Sequence, residues 1–274
     1  MLSRTSLQAR SIKPKQVLVM DFDGVILQNK GVLRHVQDRV VDYVRQNVYD
    51  GYMSEAEART LNTDLYTRYG HTHVGMKKLF LPHSRISHFN DFVYDREFLA
   101  SLYDNYKQED SIYMTMEYMD TIVGFLKESG IHTFILSNSP CIWCNTWMKN
   151  MVPRVPSENI IGSDHVILET SKGVLLKPSR IVYNRVEMYI KMKFNNPKDL
   201  ELVFVDDSQI NLDPLVKDSS WRPIFFSGAT PPHGTPPAGT PALEQITSLS
   251  ELPPLFEKLM NKDDIDRLVS GIKA

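Results

Sequence analysis

Two carboxylates stand where an apolar run stops. Val17-Leu18-Val19-Met20 leads straight into Asp21-Phe22-Asp23-Gly24. A continuous apolar run bounded by glycine reads as a strand buried on both faces, as in parallel sheets. Side chains two apart on an extended chain point the same way, so Asp21 and Asp23 share a side. Acids at the carboxyl end of a buried strand lie where open α/β sheets bind ligands, and their charge is unfavourable there unless neutralised. A hard cation such as Mg²⁺, which takes oxygen ligands, fits that need. Three later stretches carry matching chemistry: Ser137-Asn138, Lys177-Pro178 and Asp206-Asp207. Singly they read as a helix cap, a surface lysine and a polar turn, and Asp21-x-Asp23 as a strand running into a turn. Together, in this order around one edge of a parallel sheet, they fit phosphoryl transfer. One carboxylate attacks phosphorus, and a second acid protonates the leaving oxygen and then activates water. A cation, a hydroxyl and an ammonium hold the transferring oxygens.

The set resembles the haloacid-dehalogenase superfamily of phosphohydrolases over nearly the whole chain. The resemblance implies Asp21 as nucleophile and Asp23 as general acid/base. Ser137 and Lys177 become phosphate ligands, assisted by Asn138. Asp207 becomes the direct Mg²⁺ ligand beside Asp21 and the Asp23 carbonyl, with Asp206 a second ligand or acting through water. Asp206-Asp207-Ser208 followed by Asn211 fits the D-D-S-x-x-N form of the last motif. A narrower resemblance, to the pyrimidine 5′-nucleotidase branch, rests on Ser54 to Asn62, Tyr66, Tyr69-Gly70 and Gly75-Met76, and on Ser250-Glu251-Leu252-Pro253. It implies that Tyr69, Gly70 and Gly75 help to choose the substrate. His71, His73, Lys77-Lys78, the 228–241 stretch and the C-terminal segment depart from that branch.

The elements that must position these residues alternate. Strands are expected at the Val17 run, 132–136, 159–161, 202–205 and 223–226, with a hairpin within 162–176. Helices at 116–126, after Pro140, from Pro178 at the first helical position, and at 246–260 and 263–272 follow from apolar spacing. Between the first two strands, 31–108 reads as mostly helical. Ser54 to Glu57 forms a capping box, Gly70 a left-handed stop, and a further helix spans 97–106. The fold class expected is α/β: a mostly parallel, Rossmann-like core sheet with a helical cap inserted after the first strand. The domains would be a basic arm or transit peptide at 1–15, a core of 16–30 plus 109–274, and a cap of 31–108.

The chain has 274 residues, and 31 basic against 33 acidic side chains give a formal charge of −2. That balance gives no sign of a nucleic-acid binder, and no apolar run is long enough to span a membrane. Residues 1–15 are basic and acid-free, which resembles a mitochondrial transit peptide; a disordered arm on a cytoplasmic protein is the plainer reading. Cys141-Ile142-Trp143-Cys144 invites redox or metal chemistry, against packing on a helix. His71 and His73 read either as ligands to base or phosphate or as a solvated turn, and Lys77-Lys78 as an exposed helix start. The leading expectation is a Mg²⁺-dependent phosphomonoesterase acting on a small phosphorylated metabolite, a nucleotide. A dehalogenase is disfavoured by Asp23, and a mutase would need a cap that excludes water. The non-enzymatic reading is a subunit of a larger mitochondrial assembly, such as a ribosome-associated protein, docked through the arm, the 228–241 stretch and the tail.

Overall fold

The computed structural model describes residues 15–166, 168–170, 173–228 and 243–256. The basic arm up to residue 14, residues 229–241 of the Pro/Gly-rich stretch and the 263–272 helix lie outside the described residues. Strand β1 (Gln16–Met20) is followed by six helices: α1 (Lys30–Asn47), α2 (Glu55–Tyr69), α3 (Thr72–Leu79), α4 (Ile86–Val93), α5 (Arg96–Tyr106) and α6 (Asp110–Glu128). Then come β2 (His132–Leu136), α7 (Cys141–Met151), β3 (Ile160–Ile161), α8 (Ser163–Val166), β4 (Leu168–Thr170) and β5 (Gly173–Leu175). The chain continues through α9 (Arg180–Lys193), β6 (Glu201–Asp206), α10 (Gln209–Leu212), β7 (Trp221–Phe226) and β8 (Glu244–Ile246).

Six strands form one sheet in the order β3-β2-β1-β6-β7-β8, with every neighbouring pair parallel. β1 sits inside it, with Val17 opposite His132 on one side and Leu202 on the other. Its side chains divide by alternation. Leu18 and Met20 enter the core shared with α6 and α7, and Val17 and Val19 enter the one lined by α9. All four are fully buried, which is why the run carries no polar residue. The parallel pairing puts the ends of β1, β2 and β6 at one edge, and all three strands stop where their sequence turns polar.

The helices between β1 and β2 start and stop as the sequence indicates. Ser54 and Glu57 exchange bonds as a capping box, and Gly70 ends α2 with φ +70°. α1 packs on α4 through Tyr43, whose ring meets Phe89 at 5.0 Å and Phe92 at 5.3 Å. α5 instead leans on α7, with Tyr103 and Trp147 edge to face at 5.4 Å.

Two expectations need correction. Pro178 does not open α9: Lys177-Pro178 is a cis peptide, and Ser179 precedes the first turn. The Lys177 backbone is tied to Asn138 instead of entering a helix. The 246–260 helix is absent over its described part. Ile246 closes β8 against Phe226, and two short 3₁₀ turns follow, Leu249–Glu251 and Pro253–Phe256, where Pro253-Pro254 cannot feed an α-helical ladder. The expected hairpin forms as β4 and β5, preceded by the unexpected short α8.

Candidate active site

Lys177 organises the floor of the crevice. Its ammonium, 1% exposed, lies 2.7 Å from Asp206 Oδ2 and 2.9 Å from Asp21 Oδ2. Burial alone would lower the Lys177 pKa, but the two facing carboxylates outweigh it and hold the ammonium charged. Asp206, fully buried at the end of β6, accepts from Lys177, from the Ser208 N–H at 2.8 Å and from the Asn211 amide at 3.0 Å. Its lone pairs are therefore spent on the floor itself. Asn138 lines the crevice, as expected, and has a second task. Its carboxamide accepts from Lys177 N–H at 2.9 Å and donates to Lys177 C=O at 3.1 Å, so it holds the lysine segment in place. Ser137, at the end of β2, is 2% exposed and accepts the Ser139 N–H at 3.0 Å.

Asp21 hangs from the sheet by its own N–H, which donates to Val205 C=O at 2.8 Å, and its Oδ1 accepts the Phe22 N–H at 2.6 Å. Its carboxyl is pushed well up, first by burial and then by Asp206, Asp207 and Asp23, against the opposing pull of Lys177. Asp23 is pushed up as well, chiefly by burial. Its two oxygens meet partners that sequence reasoning missed: Trp143 Nε1 donates to Oδ1 at 2.7 Å and Ser139 Oγ to Oδ2 at 2.7 Å. Both donations favour the ionised form and offset part of the burial. The available signal was a tryptophan in the first turn of the helix that leaves Ser137-Asn138.

Asp207 stands open to the crevice yet shielded by its walls from bulk water, and its carboxyl is pushed up to about 7 by that desolvation and by Asp206. Carboxylate oxygens of Asp21, Asp206 and Asp207 all lie within 4.8 Å of one another. Three acids face one ammonium, a deficit that a divalent oxygen-seeking cation would make good. Gly24, with φ +84°, makes the room: a Cβ there would stand 2.0 Å from Asp207 Oδ2. The donor set and this clearance would suit a hard divalent cation such as Mg²⁺, which Asp21 and Asp207 could hold directly with Asp206 behind them.

Above the floor is a cavity of about 470 Å³. Its roof comes from α1 and α2, through Leu33, Gln37, Asn62, Thr63 and Tyr66, with Phe89 of α4 completing one wall. Of the three expected specificity residues only Gly70 lines it. Tyr69 and Gly75 do not: a Cβ on Gly75 would stand 2.6 Å from Tyr69 Cδ2 and 2.7 Å from Leu65 Cδ2, so this glycine serves the packing of α3 on α2. Neither histidine lies in a solvated turn. His73 is fully buried with Nε2 3.1 Å from Ser84 Oγ. His71 lines the cavity and caps α3 by accepting the His73 N–H on Nδ1, with its pKa lowered to about 3 by burial and by His73. Lys77 donates to Ser84 C=O and Lys78 lies over the Tyr69 ring, both in the last turn of α3 instead of at its start.

Cys141 and Cys144 are both buried free thiols. Cys141 Sγ accepts the Gly162 N–H at 3.1 Å and meets His165 Nδ1 at 3.0 Å, while Asp164 accepts the Cys141 N–H at 2.8 Å. Burial and Asp164 push the Cys141 thiol up to about 12, the setting of a structural cysteine and not of a reactive one. Among the described residues no helix is long and apolar enough to cross a membrane.

No family model and no curated protein matches the chain. Among solved structures it is similar to a dehalogenase at 19% identity, over 88% of this chain and 96% of that one, with a TM-score of 0.48. It is similar to a phosphoserine phosphohydrolase-like protein from Francisella tularensis at 14% identity, over 77% and 87%, with a TM-score of 0.44. A HAD family hydrolase from Deinococcus radiodurans, with bound phosphate and sodium, is similar at 15% identity over 90% and 97%, again at 0.44. At these identities the likeness is one of fold alone and says nothing of substrate.

Proposed function

We propose that this chain is a Mg²⁺-dependent phosphomonoesterase of the haloacid-dehalogenase superfamily that passes through an aspartyl-phosphate on Asp21 and hydrolyses pyrimidine nucleoside 5′-monophosphates. The observation that carries the reaction class is the Lys177 ammonium held between Asp21 and Asp206, with Asp23 and Asp207 opening on the same crevice. Lys177 and the Ser137 hydroxyl hold the phosphoryl oxygens. An oxygen of Asp21 attacks phosphorus, and the bond to the ester oxygen breaks. Asp23, which burial favours in its protonated form, gives its proton to that leaving oxygen. Water then attacks the phosphorus and passes a proton to Asp23. The acyl-phosphate bond breaks, Asp21 is restored and inorganic phosphate leaves. Asp21, Asp207 and the Asp23 carbonyl would hold Mg²⁺, which would supply positive charge to the phosphoryl oxygens when bound.

The substrate class rests on the roof. Gln37, Asn62 and Thr63 line the same cavity as the rings of Tyr66 and Phe89, a combination of residue types suited to hydrogen bonding a base edge while covering its face. The test is phosphate release from a panel of monoesters with and without Mg²⁺. Uridine and cytidine monophosphates are expected to exceed adenosine and guanosine monophosphates in kcat/KM, and Asp21→Asn to lose about 10⁴-fold in turnover with its fold intact. Equal use of all four nucleotides would remove the nucleotidase reading alone. Wild-type turnover in Asp21→Asn would remove the mechanism.

A further inference from the structure

Asp23 is gripped from a side that the reaction scheme leaves unused. Both oxygens of its carboxylate accept bonds of 2.7 Å, from the Trp143 indole and the Ser139 hydroxyl. Two donors on two oxygens fix the plane of a carboxylate as well as its position. Trp143 is itself immobilised. It is 1% exposed, edge-on to Phe22 at 6.2 Å and to Trp147 at 6.0 Å, and tilted against Tyr94 at 5.8 Å. An indole N–H donates and never accepts, so it orients Asp23 without competing for the proton that Asp23 carries. The Ser139 hydroxyl reaches further. Its Oγ lies 3.1 Å from the Tyr94 hydroxyl, so Tyr94 can donate to Ser139 while Ser139 donates to Asp23. Trp143 and Ser139 belong to the segment that follows β2. Tyr94 closes α4, in the helices between β1 and β2 whose side chains roof the cavity.

A group that hands a proton to a leaving oxygen and later takes one from water must point at the same place twice. We propose that Trp143, Ser139 and Tyr94 form a cradle that positions the Asp23 carboxyl for both transfers, and that through Tyr94 this position follows the placement of the roof helices. The proposal rests on the phosphatase reading for its purpose, and on the hydrogen bonds for its geometry. All three are positioning residues acting through Asp23. Trp143 was set apart in the sequence only as the middle of Cys-Ile-Trp-Cys, and the cradle gives that motif a use in which both cysteines are packing.

The test uses leaving groups of graded basicity on Trp143→Phe, Ser139→Ala and Tyr94→Phe. An alkyl phosphate needs its leaving oxygen protonated, whereas p-nitrophenolate leaves unaided. For Trp143→Phe and Ser139→Ala, kcat/KM on the alkyl ester should fall about tenfold to a hundredfold, and on p-nitrophenyl phosphate less than about threefold. Tyr94→Phe should show the same split at a smaller size. A burst of p-nitrophenolate should appear in the variants, because breakdown of the phosphoenzyme still needs Asp23 as base. Equal losses on both esters mean a structural role only and overturn the proposal, as do unchanged rates. The grip itself is read apart from activity, by crystal structures of Trp143→Phe and Ser139→Ala. The Asp23 carboxyl is expected to leave its wild-type position, and an unmoved carboxyl overturns the cradle. A wild-type chain inert towards both esters would instead overturn the phosphatase reading. If Trp143→Phe fails to fold, the other two variants carry the same kinetic test.

Discussion

The floor and the roof of the crevice are built on different principles. On the floor, polar groups bond across large separations in sequence: Lys177 to Asp21 and Asp206, and Asn138 to the Lys177 backbone. On the roof, Thr63 donates back to Arg59 C=O one turn earlier, Asn62 accepts from nearby Thr72, and Tyr66 stands largely exposed. The floor has one arrangement and is fixed by the sheet edge. The roof presents short-range, adjustable side chains on helices that touch the floor at few points, such as Gly70, whose Cβ position lies 3.5 Å from Pro178. A site divided in this way keeps the arrangement of its floor constant while the lining of its roof can change.

The largest expected effect comes from breaking the floor. Lys177→Met leaves Asp21 and Asp206 buried with no ammonium between them, and unfolding in denaturant should show a loss of about 3–5 kcal/mol. Adding Asp206→Asn to that variant should recover part of the loss; no recovery would mean that the pair is not the unit described here. A smaller effect, about 1–3 kcal/mol, is expected for Gly75→Val on the roof, where the new side chain runs into Leu65 and Tyr69. Gln37→Leu should leave the melting temperature alone and shift the ratio of uridine to adenosine monophosphate turnover by about tenfold, while sparing p-nitrophenyl phosphate. Loss of activity on every ester would place Gln37 in the chemistry and undo the division.

The smallest effect concerns His71. Its folded pKa of about 3 lies below the ordinary 6.5, so between those values the unfolded chain binds more protons than the folded one. The stability this group contributes is complete above pH 6.5 and is lost as the pH falls towards 3. His71→Asn keeps a capping acceptor for α3 and removes the titration, so the gap in melting temperature between variant and wild type should move in favour of the variant from pH 7.5 to pH 5. A gap that does not change with pH would mean that His71 titrates in the fold as it does in the unfolded chain.

The sheet and the floor were legible in the sequence because each rests on strong local signals. Val17 to Met20 could only be a fully buried strand, and the four polar motifs fall near or at strand ends, where side chains converge whatever the loops do. What escaped depends on partners far along the chain. Asn138 looks like a ligand until the Lys177 backbone arrives beside it. Trp143 reads as core because nothing nearby in sequence asks for an N–H. Gly75 reads as a site of ligand approach, yet its bareness serves a helix contact, which a pattern of glycines cannot reveal. β8 is only three residues long, too short for alternation to register.

The place of β1 in the sheet has a consequence for synthesis. It is the first strand to be made, and neither neighbour is close behind it: β2 follows only after six helices, and Gln16 pairs with Glu201, 185 positions later. While the chain grows, Asp21 and Asp23 stay in water, where two carboxylates are at ease. The helices α1–α4 contact one another locally and can condense early. The partners of Asp23, Ser139 and Trp143, come with β2 and α7, whereas the counter-charge of Asp21 comes only with Lys177 and its last neighbours with β6. The floor of the crevice is thus completed late in the chain, by the stretch from Lys177 to Asp206 that brings both its counter-charge and its last carboxylates.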